Sequence, residues 1–247
     1  MAMLEVKNFY KSFDGVHAVE NCSFSAEECA ITALIGPNGA GKTTVFNLVN
    51  GFLPADEGKL FFRGRDITNL SAWRRSRLGI SRTFQLSRLF KNLTLRENLV
   101  LAIRQDDDKF WKMFFSKHDE YEFDSRIKEA MEFLGFKKEL ETRVTELSYG
   151  EQKLFDLTRA YLNPHTMLLL DEPVAGVNPV LRESLKKIML KLKERGETIL
   201  LIEHDMDFVH AVADRVIVLD QGSVLTEGEP EKVLHDGRVL EVYLGSA

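Results

Sequence analysis

The sequence predicts an α/β fold built on a mainly parallel sheet, and three observations indicate it. Short β-rich runs alternate with segments of helical periodicity along most of the chain, as they do when helices cover a parallel sheet. Two runs, residues 167–170 and 198–202, are almost continuously apolar, which is typical of strands buried on both faces. A glycine-rich turn at 36–42 joins a third apolar run to a helical pattern.

The elements of the first third follow from local patterns. Strands are predicted at 4–9, 22–25 and Ile31–Ile35, because these runs are rich in β-branched and aromatic residues. The turn is followed by a helix predicted at 43–50, which Gly51 ends. Further strand candidates are residues 59–62 and 79–84.

The last third repeats the alternation of strand and helix. A helix is predicted at 180–194, between the two apolar strands, because Pro179 stands at its start and apolar residues recur at helical spacing. Residues 215–219 and 224–226, on either side of Gly222, predict a hairpin.

The segment from 89 to 163 differs from the rest because it has almost no β pattern. Helices are predicted at 96–103, 125–134 and 151–162. The mixed charged and aromatic stretch 106–117 is interpreted as a helix that packs one face on its neighbours, with a partner-binding helix as the less favoured alternative. We expect residues 89–163 to form a helical subdomain inserted into a core made of residues 1–88 and 164–247.

Composition restricts the function classes. Hydrophobic residues make up 44% and charged residues 29% of the chain, as in ordinary globular proteins. The net charge of -5 gives no indication of a nucleic-acid partner. Cys22 and Cys29 are too few for a disulfide framework or a four-ligand zinc site.

Membrane association is expected only through another protein. No apolar run approaches the roughly 20 residues of a membrane span, and the N-terminal residues lack an apolar signal core. We therefore expect a soluble chain. The densest basic stretch is interpreted as a solvated face, with a partner contact as the alternative; its members are Arg74, Arg75, Arg77, Arg82 and Arg88.

The glycine-rich turn carries the clearest chemistry. Residues 36–44, GPNGAGKTT, match the phosphate-loop pattern G-x-x-x-x-G-K-[ST]. Glycines allow backbone N–H groups to turn inward around phosphate oxygens, and the helix that follows adds its positive end. Lys42 is expected to reach the β- and γ-phosphates, and the Thr43 hydroxyl to bind Mg²⁺.

Acidic and polar residues follow neighbouring strands. Asp171 and Glu172 follow the run LLL, where a parallel sheet exposes its ligand crevice. We expect Asp171 to hold magnesium, through water, and Glu172 to polarise the attacking water. His204 follows the next strand and can sense or position a γ-phosphate, and Gln85 follows the strand 79–84, where its amide can contact water or the metal.

The stretch LSYGEQ, residues 147–152, has two interpretations. Ser148 and Glu151 have the spacing of a helix capping box. A serine, a glycine and a new helix N-terminus also suit a phosphate. These six residues alone do not decide between a cap and half of an active site.

The ordered set GPNGAGKTT, Gln85, LSYGEQ, LLLDEP and His204 resembles an ATP-binding-cassette (ABC) ATPase over nearly the whole chain. The resemblance implies a P-loop NTPase core with an N-terminal antiparallel β part, an inserted α-helical subdomain, and ATP and Mg²⁺ as cofactors. It also implies head-to-tail pairing of two cassettes, in which Ser148 and Gly150 contact the γ-phosphate held by the other chain. The cap and the active site are then compatible.

The resemblance assigns the remaining site residues. An adenine-stacking aromatic aligns best with Phe13, with Tyr10 as the weaker choice, and Val19 is expected to line the same pocket. The nucleotide-contacting set is Phe13, Val19, Gly36, Pro37, Asn38, Gly39, Ala40, Gly41, Lys42, Thr43, Thr44, Ser148 and Gly150. The catalytic set is Glu172, His204, Lys42 and Gln85, and the metal set is Thr43, Gln85 and Asp171.

Two departures from the commonest family pattern stand out. The signature usually reads LSGGQ, and Tyr149 and Glu151 replace a glycine and a glutamine. Asn178 stands where the loop after LLLDEP often has aspartate, a change that could weaken cross-talk between the two sites. We expect nucleotide closure and hydrolysis to be retained.

A narrower resemblance concerns the transported solute. The stretches 79–85, 89–90 and 93–94, the LSYGEQ variant, the AGVNP loop and the ending EVYLG look like cassettes of branched-chain (hydrophobic) amino acid importers; urea and amide importers are similar. This implies a second cassette, identical or different, two permease subunits that contact residues 85–97, and an external solute-binding protein.

Two other classes of protein fit the sequence less well than an importer subunit does. Soluble ABC ATPases of repair or chromosome maintenance insert a long coiled coil, and the interval here is short and lacks sustained heptads. Translation types usually carry two cassettes, and this chain has one phosphate loop. A P-loop kinase or GTPase is disfavoured by LSYGEQ and by the pairing of LLLDEP with His204.

Overall fold

The computed structural model describes residues 1–83, 89–103 and 117–244. The strands are β1 (Ala2–Phe13), β2 (Val16–Glu27), β3 (Ile31–Ile35), β4 (Glu57–Phe62), β5 (Arg65–Asp66), β6 (Ile80–Arg82), β7 (Met167–Asp171), β8 (Ile199–Ile202), β9 (Arg215–Asp220) and β10 (Ser223–Gly228). The helices are α1 (Lys42–Asn50), α2 (Ala72–Arg77), α3 (Leu95–Ile103), α4 (Lys117–Phe133), α5 (Tyr149–Leu162), α6 (Pro179–Glu194), α7 (Met206–Val212), α8 (Pro230–Val233) and α9 (Gly237–Leu244). A 3-10 turn covers Val144–Glu146.

The larger sheet has the order β10-β9-β3-β8-β7-β6. The pairs β3–β8, β3–β9, β7–β8 and β6–β7 are parallel, and β10 joins β9 as an antiparallel hairpin. Every residue of β3 and β8 is buried, which explains their continuous apolar sequences. The predictions of a mainly parallel sheet and of a terminal hairpin are confirmed.

The smaller sheet is antiparallel in the order β2-β1-β4-β5. Strands β1 and β2 are longer than the sequence predicted, because register shifts interrupt their alternation of buried and exposed residues. Asn8 and Asn21 have positive φ angles of 50° and 48° at these irregularities. The Asn8 amide donates to Oδ1 of Asn21 at 2.8 Å, which joins the two bulged strands.

The helical segment packs on the face of the larger sheet. Helices α3, α4 and α5 contact one another, and Leu99 and Phe155 share one apolar cluster with Leu168 and Leu170 of β7. Helix α4 begins earlier than predicted, and the predicted stretch 106–117 lies almost wholly outside the described residues. The division into 1–88 with 164–247 and 89–163 stays a prediction.

The basic stretch is not a solvated face throughout. The Arg75 side chain is buried and donates hydrogen bonds to four main-chain carbonyls, those of Leu48, Val49, Thr68 and Leu70. Burial lowers the pKa of Arg75 to about 10, which leaves it charged at neutral pH. Two of these carbonyls lie in the last turn of α1, so Arg75 holds the end of the helix that follows the phosphate loop.

In the part of the chain that the structure describes, no helix has the length and apolarity needed to cross a membrane.

Candidate active site

The phosphate loop connects β3 to α1 and needs glycine at both ends. Gly41 has φ 95°, and a Cβ there would lie 2.4 Å from the carbonyl oxygen of Ala18. A Cβ on Gly36 would lie 2.2 Å from the carbonyl oxygen of Leu219 in β9. Any larger residue would therefore push the loop away from the sheet, and the glycines keep its backbone close to the strand ends.

Lys42 lies inside this loop. Its side chain is 6% exposed, and Nζ donates to the carbonyl oxygens of Gly36 at 2.7 Å and Pro37 at 2.8 Å. Burial lowers the pKa of Lys42, and the negative charge of Glu172 opposes this shift. The loop thus surrounds a cation at the N-terminus of a helix, an arrangement that suits phosphate oxygens.

The start of α1 provides further donors. Its first residues, Lys42, Thr43 and Thr44, follow the N-cap Gly41, which makes no side-chain capping bond. The first backbone N–H groups of a helix have no partner within the helix. The Thr43 side chain is exposed, so its hydroxyl is accessible beside these donors.

Asp171 ends β7 in contact with a buried arginine. Arg82 Nη2 lies 2.9 Å from Asp171 Oδ2, and Nη1 donates to Asn47 Oδ1 at 2.8 Å. The side chains of Arg82 and Asp171 are only 8% and 11% exposed. The expectation of a solvated Arg82 is wrong, because strand pairing places it between α1 and the carboxylate.

Glu172 and His204 are brought together, as their positions after β7 and β8 predicted. His204 Nε2 lies 2.6 Å from Glu172 Oε1. Glu172 has φ 49°, a left-handed conformation that costs a non-glycine residue about 1 kcal/mol or more. Its N–H donates to the carbonyl of Ile202 at 2.9 Å, and its carbonyl accepts from Lys153 Nζ at 2.6 Å.

Glu203 is a functional candidate that sequence reasoning missed. It is 2% exposed, and its carboxylate accepts from the N–H groups of Val174 at 2.8 Å and His204 at 3.0 Å. Burial raises the pKa of Glu203, and these hydrogen bonds only partly offset the shift because they lower the pKa. It fixes the loops after β7 and β8 to each other. The only sequence signal is a carboxylate at the end of an apolar strand, in ILLIEH.

The signature loop forms the capping box that its spacing predicted. Ser148 Oγ accepts from the Glu151 N–H at 3.4 Å, and Glu151 Oε2 accepts from the Ser148 N–H at 2.8 Å. Lys138, 2.9 Å from Glu151, contributes most to lowering the pKa of Glu151 to about 2, followed by the bonds to Ser148. Ser148 is exposed and Gly150 half-buried. Within the described residues, no hydrogen bond links either of them to the phosphate loop.

Phe13 and Val19 are the residues expected beside adenine. Phe13 ends β1, is 42% exposed, and has Lys11 Nζ 5.5 Å from its ring centroid. Val19 is completely buried in the apolar cluster below the strand, and its contact with nucleotide stays a prediction. Gln85 lies outside the described residues.

Comparison with known proteins identifies the family. A family model described as ABC transporter matches residues 19–175. A protein of Archaeoglobus fulgidus named probable branched-chain amino acid transport ATP-binding protein LivG is 40% identical over 248 residues, with 100% of this chain and 96% of that protein covered. The chain belongs to the ABC transporter family.

Other relatives agree with this cassette along its whole length. The high-affinity branched-chain amino acid transport ATP-binding protein BraF of Pseudomonas aeruginosa is 37% identical over 254 residues, with 99% of this chain and 98% of that protein covered. A solved nucleotide-free ATP-binding cassette of an ABC transporter superposes with a TM-score of 0.86 at 34% identity, covering 98% of this chain and 99% of the other. Another, in its ADP conformation, gives 0.87 at 35% identity, covering 99% of each chain.

These findings confirm the predicted fold and class. The protein is an ABC ATPase with a P-loop NTPase core, and the alternative of a P-loop kinase or GTPase outside this family is wrong. The resemblance to cassettes of branched-chain amino acid transporters is confirmed as well, because the relatives above carry that name.

Proposed function

We propose that the chain is the ATP-hydrolysing subunit of an importer for branched-chain (hydrophobic) amino acids. The pairing of Glu172 with His204 beside the buried Lys42 carries the enzymatic half of this proposal, since it places a carboxylate next to a phosphate-binding loop. The names of relatives that match along the full length support the solute. Urea or amide import is the alternative.

The nucleotide is ATP, held by the phosphate loop. Lys42 and the first N–H groups of α1 bind its phosphates, and Phe13 stacks on the base. Glu172 then accepts the proton of the attacking water as general base. The His204 imidazole donates a hydrogen bond to the Glu172 carboxylate, which holds that carboxylate in place.

Magnesium fits the oxygen groups of the site. Within the described residues, no three His, Cys, Asp or Glu side chains are grouped to hold a metal. Mg²⁺ bound with a nucleotide is commonly held by one or two carboxylates together with phosphate oxygens and water. Thr43 and Asp171 provide a hydroxyl and a carboxylate, with Gln85 as the third predicted ligand. The bound ion would neutralise phosphate charge.

The site is completed by a second cassette. Ser148 and Gly150 lie at an exposed helix N-terminus, which suits the γ-phosphate bound to another chain. Two identical chains, or this chain and a different cassette, would each contribute one phosphate loop and one signature loop to a shared site.

The permease subunits contact residues 85–97, as the resemblance implies, and also a groove of about 370 Å³ between the core and the helical segment. The groove is lined by α2, β6, α3 and α5, and the aromatic side chains of Phe52 and Trp73 are 40% and 50% exposed. Exposed aromatic rings are common anchors in protein interfaces. This contact holds the cassette at the cytoplasmic face of the membrane. An external solute-binding protein contributes indirectly, and no nucleic acid is involved.

The enzymatic role is tested with Glu172→Gln in the purified chain. We expect hydrolysis to fall about a thousandfold, since a general base contributes 10²–10⁴-fold, while ATP affinity stays within about threefold. Glu183→Gln, an exposed position on α6, is the control and should retain full turnover. Near-normal turnover in Glu172→Gln would contradict the proposed base.

The solute is tested in vesicles that contain the cassette with its permeases and solute-binding protein. ATP-driven uptake of labelled leucine, unaffected by excess urea, is expected. Uptake of urea without leucine would favour the alternative.

A further inference from the structure

We propose that Lys153, in the second turn of α5, is a positioning residue that ties the backbone of Glu172 to the signature helix. The inference rests on the proposed role of Glu172 as general base. It concerns a side chain that touches neither nucleotide nor metal and acts through Glu172.

The tie is a short hydrogen bond between two parts of the chain. Lys153 Nζ, on a half-buried side chain, lies 2.6 Å from the carbonyl oxygen of Glu172. A bond from an ammonium group is about twice as strong as a neutral one. Among the residues that the structure describes, this carbonyl has one other donor, the Ala175 N–H, at 3.2 Å within the same loop.

Glu172 needs such support because of its backbone. Its φ of 49° is unfavourable for a residue with a Cβ and persists only where surrounding contacts impose it. Strand β8 holds the N–H side through the carbonyl of Ile202, at 2.9 Å. Lys153 and the Ala175 N–H hold the carbonyl side. Loss of the lysine would leave only the longer Ala175 bond, so the peptide after Glu172 would shift and the carboxylate would move from its position beside His204.

Tyr149 strengthens the same connection. Its hydroxyl donates to the carbonyl of Ala175 at 3.4 Å, and its ring lies 3.2 Å from the place a Cβ of Gly176 would occupy. The Lys153 ammonium lies 5.9 Å from the Tyr149 ring centroid. The residue that replaces a glycine of the commonest signature thus packs on the loop after Glu172.

These contacts give the start of α5 two faces. Ser148 is exposed on the side proposed to meet the other chain's nucleotide, and Lys153 holds the base of this chain's own site. Because both belong to the first two turns of one helix, the position of Glu172 depends on the position of the signature helix.

The test compares Lys153→Met, Lys153→Arg and the control Lys128→Met in the full chain. Lys128 is exposed on α4, so its removal also deletes a lysine of the helical segment. Hydrolysis is measured for kcat and KM, and affinity for Mg-free ATP by titration. Lys153→Met should lower kcat about tenfold, the order expected for one charge-assisted hydrogen bond, with KM and affinity within about twofold.

The conservative variant and a double mutant separate positioning from general damage. Lys153→Arg should recover most of the lost kcat, and Lys128→Met should stay within about twofold of the unmodified chain. In a Glu172→Gln background, Lys153→Met should add little, because both changes remove the same function. Parallel loss of ATP affinity in Lys153→Met, or full additivity with Glu172→Gln, would overturn the inference.

The proposed roles of Glu172 and Lys153 can be disproved separately. If Glu172→Gln abolishes turnover while Lys153→Met keeps the kcat of the unmodified chain, the positioning role alone is overturned. If Glu172→Gln keeps full turnover, the proposed base is wrong, and the inference falls with it.

Discussion

The phosphate loop and the signature loop are both helix N-termini suited to phosphate, and they are built in opposite ways. The phosphate loop is fixed by contacts from distant parts of the chain: Lys42 is 6% exposed, and Gly36 and Gly41 pack on main-chain atoms of other strands. The cap of the signature loop is formed by adjacent residues, since Ser148 and Glu151 cap each other and remain near the surface.

This difference explains how the two loops share one function. A loop held by the whole fold is prepared before ligand arrives, which favours tight binding. A loop held by its own sequence can face outward without disturbing the core. In the proposed pairing, one chain presents a prepared half-site and an exposed half-site, and the second serves the other chain.

Within the phosphate loop, the largest loss of ATP binding is expected from a change at Lys42. Lys42→Ala removes the cation within the loop and leaves the carbonyls of Gly36 and Pro37 without their donor. We expect ATP affinity to fall about 100-fold, measured by titration with a fluorescent nucleotide. Lys128→Ala, on the exposed face of α4, should bind normally; a loss under threefold in Lys42→Ala would count against the prepared loop.

The stability of the helix that follows the phosphate loop should also depend on Arg75, which lies outside the motif. Arg75→Met leaves four main-chain carbonyls without this donor, two of them at the end of α1. The free energy of unfolding should fall by about 2 kcal/mol, measured by urea denaturation. Arg74→Met, at the exposed neighbouring position, is the matched control, and equal stability of the two variants would show that the buried bonds contribute nothing.

Glu151→Gln in the signature loop should lower the free energy of unfolding only slightly, by an amount that depends on pH. The folded-state pKa of Glu151 is lowered from 4.5 to about 2, so its stabilisation is present above about pH 4.5 and is lost as the pH falls towards 2. The cost at pH 7 should be about 1 kcal/mol or less, as for an exposed cap.

Urea denaturation at pH 7 and pH 3 checks this. The difference between Glu151→Gln and the unmodified chain should shrink at pH 3, whereas Glu141→Gln, an exposed residue near the signature, should show no such change. If the difference in the free energy of unfolding is the same at both pH values, the ionised Glu151 carboxylate does not stabilise the cap.

Local signals made most of the site predictable. The phosphate loop, the capping box and the strand ends that bring Glu172 to His204 all follow from consecutive residues and from the rule that parallel strands end at one edge. The same rule could not reveal the contact between Arg82 and Asp171, because that contact depends on the pairing of β6 with β7. The two residues are 89 positions apart in the sequence.

The incorrect predictions share a physical cause. Arg75 and Arg82 were interpreted from residue type and neighbouring sequence, whereas their burial is decided by contacts with α1. Glu203 was overlooked because nothing in ILLIEH shows that its partners are N–H groups of two different loops. The role of Gln85 stays a prediction.

We propose that LSYGEQ is half of an active site completed by a second chain, and light scattering on Glu172→Gln is the decisive measurement. With Mg-free ATP, the mass should rise from 28.2 kDa to that of a dimer, and the double variant Glu172→Gln with Ser148→Arg should bind ATP yet remain monomeric. Ser125→Arg, the same change on exposed α4, should leave the dimer intact. A dimer that forms equally well with Ser148→Arg would contradict the claim, and a monomer at saturating ATP would contradict pairing of this chain with itself.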